Sequence, residues 1–193
     1  INNYDLISDL LNVSRLERGV VSMNIAAVSM SDIVDFGLRD YREALKRKGL
    51  RLTLKGFDDP PVVRADLYKM GEALRNVLNN AIKFTDKGGL TITATTRRGV
   101  GILEVKDTGR GMTKKQLGNL FTRKQILSGS PNPGGGAGIG MYIAKNFMNL
   151  QHGDITATAK SGKGSTFTFS VPLAGPVGSD KRSSKRHTNI KVK

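Results

Sequence analysis

The segment 66–84 constrains the fold more than any other part of the chain, because it combines an apolar stripe with a polar edge. At about 100° per residue, Asn76, Asn80 and Lys83 fall on one edge of a helix. Two amides and an amine on a packed helix are costly to bury unless something polar lies over them. The segment therefore predicts a polar ligand as well as a core. The core-facing side chains are Met70, Leu74, Val77, Leu78, Ala81 and Ile82.

Two glycine-rich segments indicate what that ligand is. In Asp107-Thr-Gly-Arg-Gly111, a carboxylate at the end of a predicted strand can accept a hydrogen bond from an exocyclic amine such as that of adenine. In Gly134–Gly140, backbone amides at a helix N-terminus favour an anion. Asn80 is a neutral oxygen ligand of the kind Mg²⁺ takes when phosphates supply most of the others. Together these features predict a nucleotide with its metal, although each alone is also compatible with a turn, a linker or an ordinary helix amide.

The order of predicted elements favours an α/β sandwich (α+β), with one sheet under a helix layer. Helices are predicted at 1–17, from a Ser29 or Ser31 cap to Gly49, and at 66–84, 113–120 and 137–150. Strands are predicted at 20–28, 50–54, 62–64, 90–96, 100–105, 154–159 and 165–171. The aperiodic segment 121–136 predicts a lid loop, and 175–193 predicts a disordered tail.

Composition excludes some classes of protein and leaves one alternative open. The net charge of +15 invites a nucleic-acid partner. However, the few aromatic residues are not interleaved with the basic ones, so no stacking platform for bases is predicted. A basic tail at 181–193 that binds nucleic acid remains the alternative. The chain has no cysteine for disulfides or metal, no secretory signal, and no apolar run near the roughly 20 residues of a membrane span.

Taken together, the motifs resemble those of sensor histidine kinases. Residues 5–19 resemble the end of the second helix of the dimerisation domain, and 164–172 is similar to the closing strand of the catalytic domain. Four further segments stand in the order of the family's boxes. They are Asn76–Thr85 (N box), Asp107–Gly111 (G1 box), Leu120-Phe121 (F box) and Gly134–Gly140 (G2 box).

This resemblance implies the Bergerat ATP-binding fold, with a mixed, mostly antiparallel sheet. It implies a protein histidine kinase that binds Mg-ATP and transfers the γ-phosphoryl group to a histidine. The implied domains are 1–19, part of a dimerisation helical hairpin; 20–174, the catalytic ATP-binding domain; and 175–193, a basic tail. The implied partners are ATP, the protein's own dimerisation domain and a response regulator, with a homodimer in the full-length protein and no specific nucleic acid. The implied location is cytoplasmic, with a membrane anchor allowed elsewhere in the full-length protein.

Roles for individual residues also follow from the resemblance. Asn80 would hold Mg²⁺, Asn76 would assist at the metal and phosphates, and Lys83 would contact phosphate. Asp107 would receive the adenine amine. The other implied nucleotide-binding residues are Gly109, Gly111, Phe121, Gly136, Gly138, Ile139, Gly140 and Ser165.

One position favours phosphotransfer over hydrolysis. The water-using ATPases of this superfamily carry a Glu one turn before the metal-binding Asn. Here that position is Asn76, which cannot act as a general base. Phosphoryl transfer would then depend on positioning and charge neutralisation, with the nucleophile supplied from outside.

Two features depart from the family pattern. The only histidines are His152, in a predicted hairpin, and His187, in the tail, so the phosphoacceptor is expected on a helix before Ile1. Residues 1–193 should therefore bind nucleotide without phosphorylating themselves in the family's way. In addition, Phe121 is followed by Thr-Arg-Lys instead of a second aromatic residue. This departure leaves a nucleotide-gated interaction module without transfer activity as a second hypothesis.

Overall fold

The computed structural model describes residues 3–122 and 139–175 as one sheet, a two-stranded ribbon and a layer of helices. The helices are α1 Asn3–Glu17, α2 Met30–Leu38, α3 Arg42–Arg47, α4 Leu67–Phe84, α5 Lys114–Asn119 and α6 Gly140–Leu150. The strands are β1 Ala26–Ser29, β2 Arg51–Lys55, β3 Val62–Ala65, β4 Gly89–Arg97, β5 Val100–Asp107, β6 Asp154–Lys160 and β7 Gly164–Pro172. Residues 123–138, with most of the predicted lid glycines, and residues 176–193 of the predicted tail lie outside the described residues.

The main sheet has the strand order β2-β4-β5-β7-β6. Strand β2 runs parallel to β4, and the other three pairings are antiparallel. Its strands alternate as the sequence predicts, so one face is apolar and buried while threonines occupy much of the other. This architecture confirms the predicted α/β sandwich with a mixed, mostly antiparallel sheet. The buried face is formed by Leu90, Ile92, Ala94, Leu103, Val105, Phe167, Phe169 and Val171.

Helix α4 is the centre of the helix layer and packs between α2 and α6. It begins where the Asp66 carboxylate accepts the N–H groups of Tyr68 and Lys69, both at 3.0 Å. This N-cap satisfies two donors that a helix start leaves open, and its charge suits the positive end of the helix dipole. The predicted apolar stripe of α4 is buried. Packing against the sheet therefore leaves the opposite edge of α4 available to a ligand.

Two predicted elements differ from the structure. The strand predicted at 20–28 was wrong for residues 20–25, because β3 offers only four pairing partners and β1 therefore covers Ala26–Ser29 alone. Ahead of β1, the Asn24 N–H donates to Asp66 at 2.7 Å and so fixes that segment to the start of α4.

The single helix predicted between Ser29 and Gly49 is two helices. A turn separates α2 from α3, in which the Tyr41 N–H donates to the Leu38 carbonyl at 3.0 Å. The turn lets Asp40 pair with Arg75 of α4. Because Arg75 belongs to another helix, the local hydrophobic periodicity of residues 29–49 could not predict this contact.

Helix α1 docks through its second half. It ends in a Schellman arrangement, with the Val20 N–H bonded to the Arg15 carbonyl and the Gly19 N–H to the Leu16 carbonyl. Val13 and Leu16 are buried in a second apolar cluster with Ile139, Ile143 and Phe147. Among the described residues, no helix has the length and apolar character that crossing a bilayer requires.

Candidate functional site

The polar edge of α4 faces the start of α6. Asn76, Asn80 and Lys83 are each half-buried along this edge. A Cβ atom at Gly140 would lie 2.6 Å from the Asn76 amide oxygen. A side chain at the first position of α6 would therefore displace the Asn76 amide from its present position. The structure thus brings together Asn76, which begins the predicted N box, and Gly140, which ends the predicted G2 box.

Asp107 is a buried carboxylate at the end of β5, with 4% of its surface exposed. One of its oxygens accepts the Gly109 N–H at 2.8 Å and the Ser165 N–H at 3.2 Å. Desolvation raises the pKa of this carboxyl above its ordinary value, and the hydrogen bonds from Gly109 and Ser165 offset part of that rise. Such an environment suits a carboxylate that accepts one further hydrogen bond from a ligand.

The loop after Asp107 is seated on the C-terminal end of α4. The Arg110 N–H donates to the Phe84 carbonyl at 3.1 Å. A side chain at Gly109 would overlap this carbonyl and would lie within 3 Å of both the Thr85 hydroxyl and the Asp107 carboxylate. Glycine is therefore needed at 109 for the loop to meet the helix. This contact joins the predicted adenine loop to the predicted phosphate helix.

Arg110 adds positive charge at this junction. Its guanidinium carbon lies 4.3 Å from the centre of the Phe84 ring, and the Lys83 ammonium lies 5.4 Å from the same centre. Burial lowers the pKa of Lys83, and the neighbouring charge of Arg110 lowers it further. Two cations held this close form a local positive potential that suits phosphate oxygens.

A buried hydroxyl next to the same loop has no partner among the described residues. Thr85 is fully buried, and its hydroxyl oxygen makes no hydrogen bond within the parts of the chain the structure describes. Buried polar atoms of this kind are rare and usually serve a water or a ligand. Together with the close approach of Gly140 to Asn76, this hydroxyl marks the loop–helix junction as a place for a polar group.

The remaining predicted site residues fall in different places. Ser165 lies beside Asp107, because its backbone N–H donates to the carboxylate, whereas Gly111 packs against the Lys160 carbonyl at the end of β6. Phe121 is half-buried, and the Lys145 ammonium lies 5.3 Å from its ring centre. Ile139 is buried against α1, in the second apolar cluster. Gly136 and Gly138 lie outside the described residues, so their roles stay predictions.

The donor set fits a nucleotide with a hard divalent cation. The Asn80 amide oxygen is a neutral, hard ligand, and Asn76 lies one helical turn before it. Lys83 and Arg110 supply positive charge, and Asp107 supplies an anionic acceptor across the loop. An adenine amine at Asp107 and phosphates at Lys83 would thus meet complementary groups.

Two residues of this site were not predicted as site residues from the sequence. Arg110 was treated only as a letter of the loop motif, yet its charge and ring contact lie at the junction with α4. Thr85 was taken only as the end of a motif. Neither gives a periodic or compositional signal, because both depend on the loop folding back onto α4.

The amino-acid sequence of the chain is similar to the sequences of one known family. A sequence profile of the family described as histidine kinase-, DNA gyrase B-, and HSP90-like ATPase matches residues 65–175. The chain is 32% identical over 185 residues to hybrid signal transduction histidine kinase B of Dictyostelium discoideum, covering 90% of this chain and 9% of that protein. It is 33% identical over 172 residues to circadian input-output histidine kinase CikA of Synechococcus elongatus, covering 87% of this chain and 23% of that protein. The chain therefore spans less than a quarter of the length of these relatives.

Solved structures share the fold. The chain superposes with a TM-score of 0.74 on full-length ShkA in complex with AMPPNP, at 24% identity, covering 88% of this chain and 35% of that one. It superposes with a TM-score of 0.70 on the histidine kinase AdeS of Acinetobacter baumannii, at 21% identity, covering 88% of this chain and 78% of that one. These similarities extend the likeness from the sequence motifs to the arrangement of the sheet and helices.

Proposed function

Because the chain belongs to the histidine kinase-, DNA gyrase B-, and HSP90-like ATPases, we propose that it is the catalytic ATP-binding domain of a two-component sensor histidine kinase. It binds Mg-ATP and transfers the γ-phosphoryl group to a histidine outside residues 1–193. The dimerisation domain of the same protein supplies that histidine, in a homodimer, and a response regulator receives the phosphoryl group next. The proposed location is the cytoplasm.

The environment of Asp107 carries this proposal. Its carboxylate is buried at 4% exposure, and within the described residues it meets hydrogen-bond donors but forms no ion pair. A buried carboxylate is costly, and a ligand amine that donates to its second oxygen would reduce the cost. Adenine presents such an amine. The ShkA complex with AMPPNP, a structure with the same fold, supports an adenine nucleotide as the ligand.

Side chains of α4 then act on the phosphates by position and charge. Asn80 would hold the metal, Asn76 would support it from one turn earlier, and Lys83 with Arg110 would face phosphate oxygens. Bound Mg²⁺ neutralises charge on the phosphates when present. The Asn76 amide cannot take a proton from water, so no general base at this position would activate water for hydrolysis. The edge would instead hold the γ-phosphoryl group of ATP in place for attack by a histidine. This arrangement favours transfer to histidine over ATP hydrolysis.

Metal-dependent binding tests the proposal through two neighbouring asparagines. Asn80→Ala removes the proposed metal ligand, and Asn79→Ala makes the same chemical change at an exposed position of the same helix. Titration calorimetry with AMP-PNP should show that Asn80→Ala raises the Mg²⁺ concentration needed for half-saturation at least about tenfold. Asn79→Ala should match the unsubstituted chain, since both changes alter helix propensity equally. If the two variants behaved alike, Asn80 would not be the metal ligand.

Transfer is tested by restoring an acceptor. Residues 1–193 joined to a complete dimerisation hairpin bearing its histidine should form acid-labile, base-stable phosphohistidine from ATP labelled at the γ-phosphate. Replacing that histidine with Gln should abolish the label. A joined protein that binds Mg-ATP but never becomes labelled would support the second hypothesis, a nucleotide-gated interaction module.

A further inference from the structure

The C-terminal end of α4 is held by a lysine from another helix. Lys48, at the C-cap of α3, donates from its ammonium to the Ile82 carbonyl at 2.7 Å and to the Thr85 carbonyl at 3.1 Å. A third, longer contact reaches the Lys83 carbonyl at 3.4 Å. The Asp86 carboxylate lies 4.0 Å from the same nitrogen. One ammonium group therefore contacts three backbone carbonyls within four residues and lies near the Asp86 carboxylate.

This placement answers a general need of helices. The last carbonyls of an α-helix have no partner within the helix and form the negative end of its dipole. An ammonium has three donors and a positive charge, so a single lysine can satisfy several of them. The Phe84 carbonyl, which Lys48 does not bond, accepts the Arg110 N–H instead. Each carbonyl from 82 to 85 thus receives a donor from Lys48 or from the loop after Asp107.

The held turn is also the turn that carries the proposed phosphate contacts. Lys83 lies within it, and Asn80 lies about one turn earlier on the same edge. A rotation or fraying of this end would move both side chains relative to Asp107, because the Asp107 carboxylate is also held by the Ser165 N–H of β7, which α4 does not carry. The Lys48 contacts thereby fix one part of the site relative to another.

We propose that Lys48 is a positioning residue for the phosphate-binding edge of α4, acting through the backbone that carries Asn80 and Lys83. This inference rests on the proposed function, since it assigns Lys48 a role in Mg-ATP binding. In this role the Lys48 ammonium bonds the backbone of α4 and not the nucleotide. Its loss should weaken binding of the triphosphate more than binding of the nucleoside, because Asn80 and Lys83 lie on the turn that Lys48 holds, whereas Asp107 is also held by Ser165 of β7.

The test compares Lys48→Met, which keeps an unbranched side chain one atom shorter but removes the donors and charge, with Lys48→Arg, which retains both. Lys46→Met serves as the matched control, because Lys46 is exposed on the same helix and its ammonium forms no hydrogen bond or ion pair with another described residue. Calorimetry with Mg-AMP-PNP and with adenosine gives two affinities for each protein. Lys48→Met should weaken Mg-AMP-PNP about tenfold and adenosine less than about threefold. Lys48→Arg should recover most of the loss, and Lys46→Met should change neither affinity.

A second control separates positioning from general loss of stability. Ile102→Val removes a methyl group from the outer face of the sheet, where Ile102 is 9% exposed, and should lower the melting temperature without changing either affinity. Equal affinities for Lys48→Met and the unsubstituted chain would overturn the role of Lys48 alone. Equal losses for Mg-AMP-PNP and adenosine would also overturn it, because the effect would then be general. An unsubstituted chain that bound neither ligand would overturn the proposed function as well.

Discussion

Replacing Asp107 with Asn is the sharpest perturbation of the proposed adenine contact. The amide oxygen can take the place of the carboxylate oxygen that accepts the Gly109 and Ser165 N–H groups. In the ligand-free protein, two hydrogen bonds lose their charge assistance, while the cost of burying a charge disappears. These changes oppose each other, so the free energy of unfolding should change by less than about 1 kcal/mol and the melting temperature by less than about 4 °C.

The effect on the nucleotide should be much larger. The new NH₂ group would face the adenine amine, so a charge-assisted hydrogen bond is lost and two donors are left opposed. The first loss is worth about 1.5–3 kcal/mol and the second about 1–3 kcal/mol, together roughly 2.5–6 kcal/mol. At about 1.36 kcal/mol per decade, the affinity for ATP should fall by roughly two to four orders of magnitude.

The assay is titration calorimetry with Mg-ATP and Mg-ITP, beside thermal unfolding followed by circular dichroism. Inosine carries an oxygen acceptor where adenine carries its amine, so it is mismatched to a carboxylate and matched to an amide NH₂. The preference of the protein for ATP over ITP should therefore shrink by at least about tenfold in Asp107→Asn. The reasoning is refuted if the folded variant binds ATP within threefold of the unsubstituted chain, or if its preference between the two bases does not move.

Four further results are expected. Gly140→Ala places a Cβ atom 2.6 Å from the Asn76 amide oxygen and should lower stability by about 1–3 kcal/mol and weaken Mg-AMP-PNP binding, as measured by denaturation and calorimetry. Gly118→Ala is the control: it lies in open space on α5, should stabilise the protein by about 0.5–1 kcal/mol and should leave nucleotide binding unchanged. If Gly118→Ala lost as much stability and affinity as Gly140→Ala, the loss could not be assigned to the contact between Gly140 and Asn76. The raised pKa of Asp107 predicts that ATP affinity falls as pH drops through that pKa, because the ionised carboxylate is the acceptor, whereas Asp107→Asn should show a flat profile in the same titration. Because burial disfavours the ionised carboxylate, denaturation across pH should show the ligand-free chain losing stability relative to Asp107→Asn as pH rises above 3.8 and through the raised pKa. Leu16→Ala should cost about 2–4 kcal/mol in chemical denaturation, since Leu16 is 6% exposed, and an unchanged midpoint would mean that α1 does not dock.

Local pattern was enough to predict most elements of this fold. The apolar stripe of α4 and the alternation of β4, β5 and β7 each report a single face that must be buried, so their bounds could be predicted to within a few residues. Prediction from local pattern was wrong where the local structure involves residues far away in the sequence. The turn between α2 and α3 brings Asp40 to Arg75 of α4, and the short β1 follows the length of β3; neither partner is near in sequence.

The same distinction holds within the candidate site. Asp107, Asn76 and Asn80 could be predicted because each is an unusual residue in a regular element or a glycine loop. Lys48 could not, because a lysine near the end of a basic helix is an ordinary surface residue in sequence. Its significance arises only when α3 brings it to carbonyls 34 to 37 positions further along the chain.

Ile139 and Gly140 are neighbours in sequence that serve different parts of the molecule. Ile139 is embedded beside α1, whereas Gly140 abuts Asn76 on α4. An extra amino acid placed between them would rotate one of the two by about 100° about the helix axis, so that it would lose its present packing. Anyone exchanging the preceding segment between related proteins should therefore splice upstream of Ile139, and keep this pair with the helix it begins.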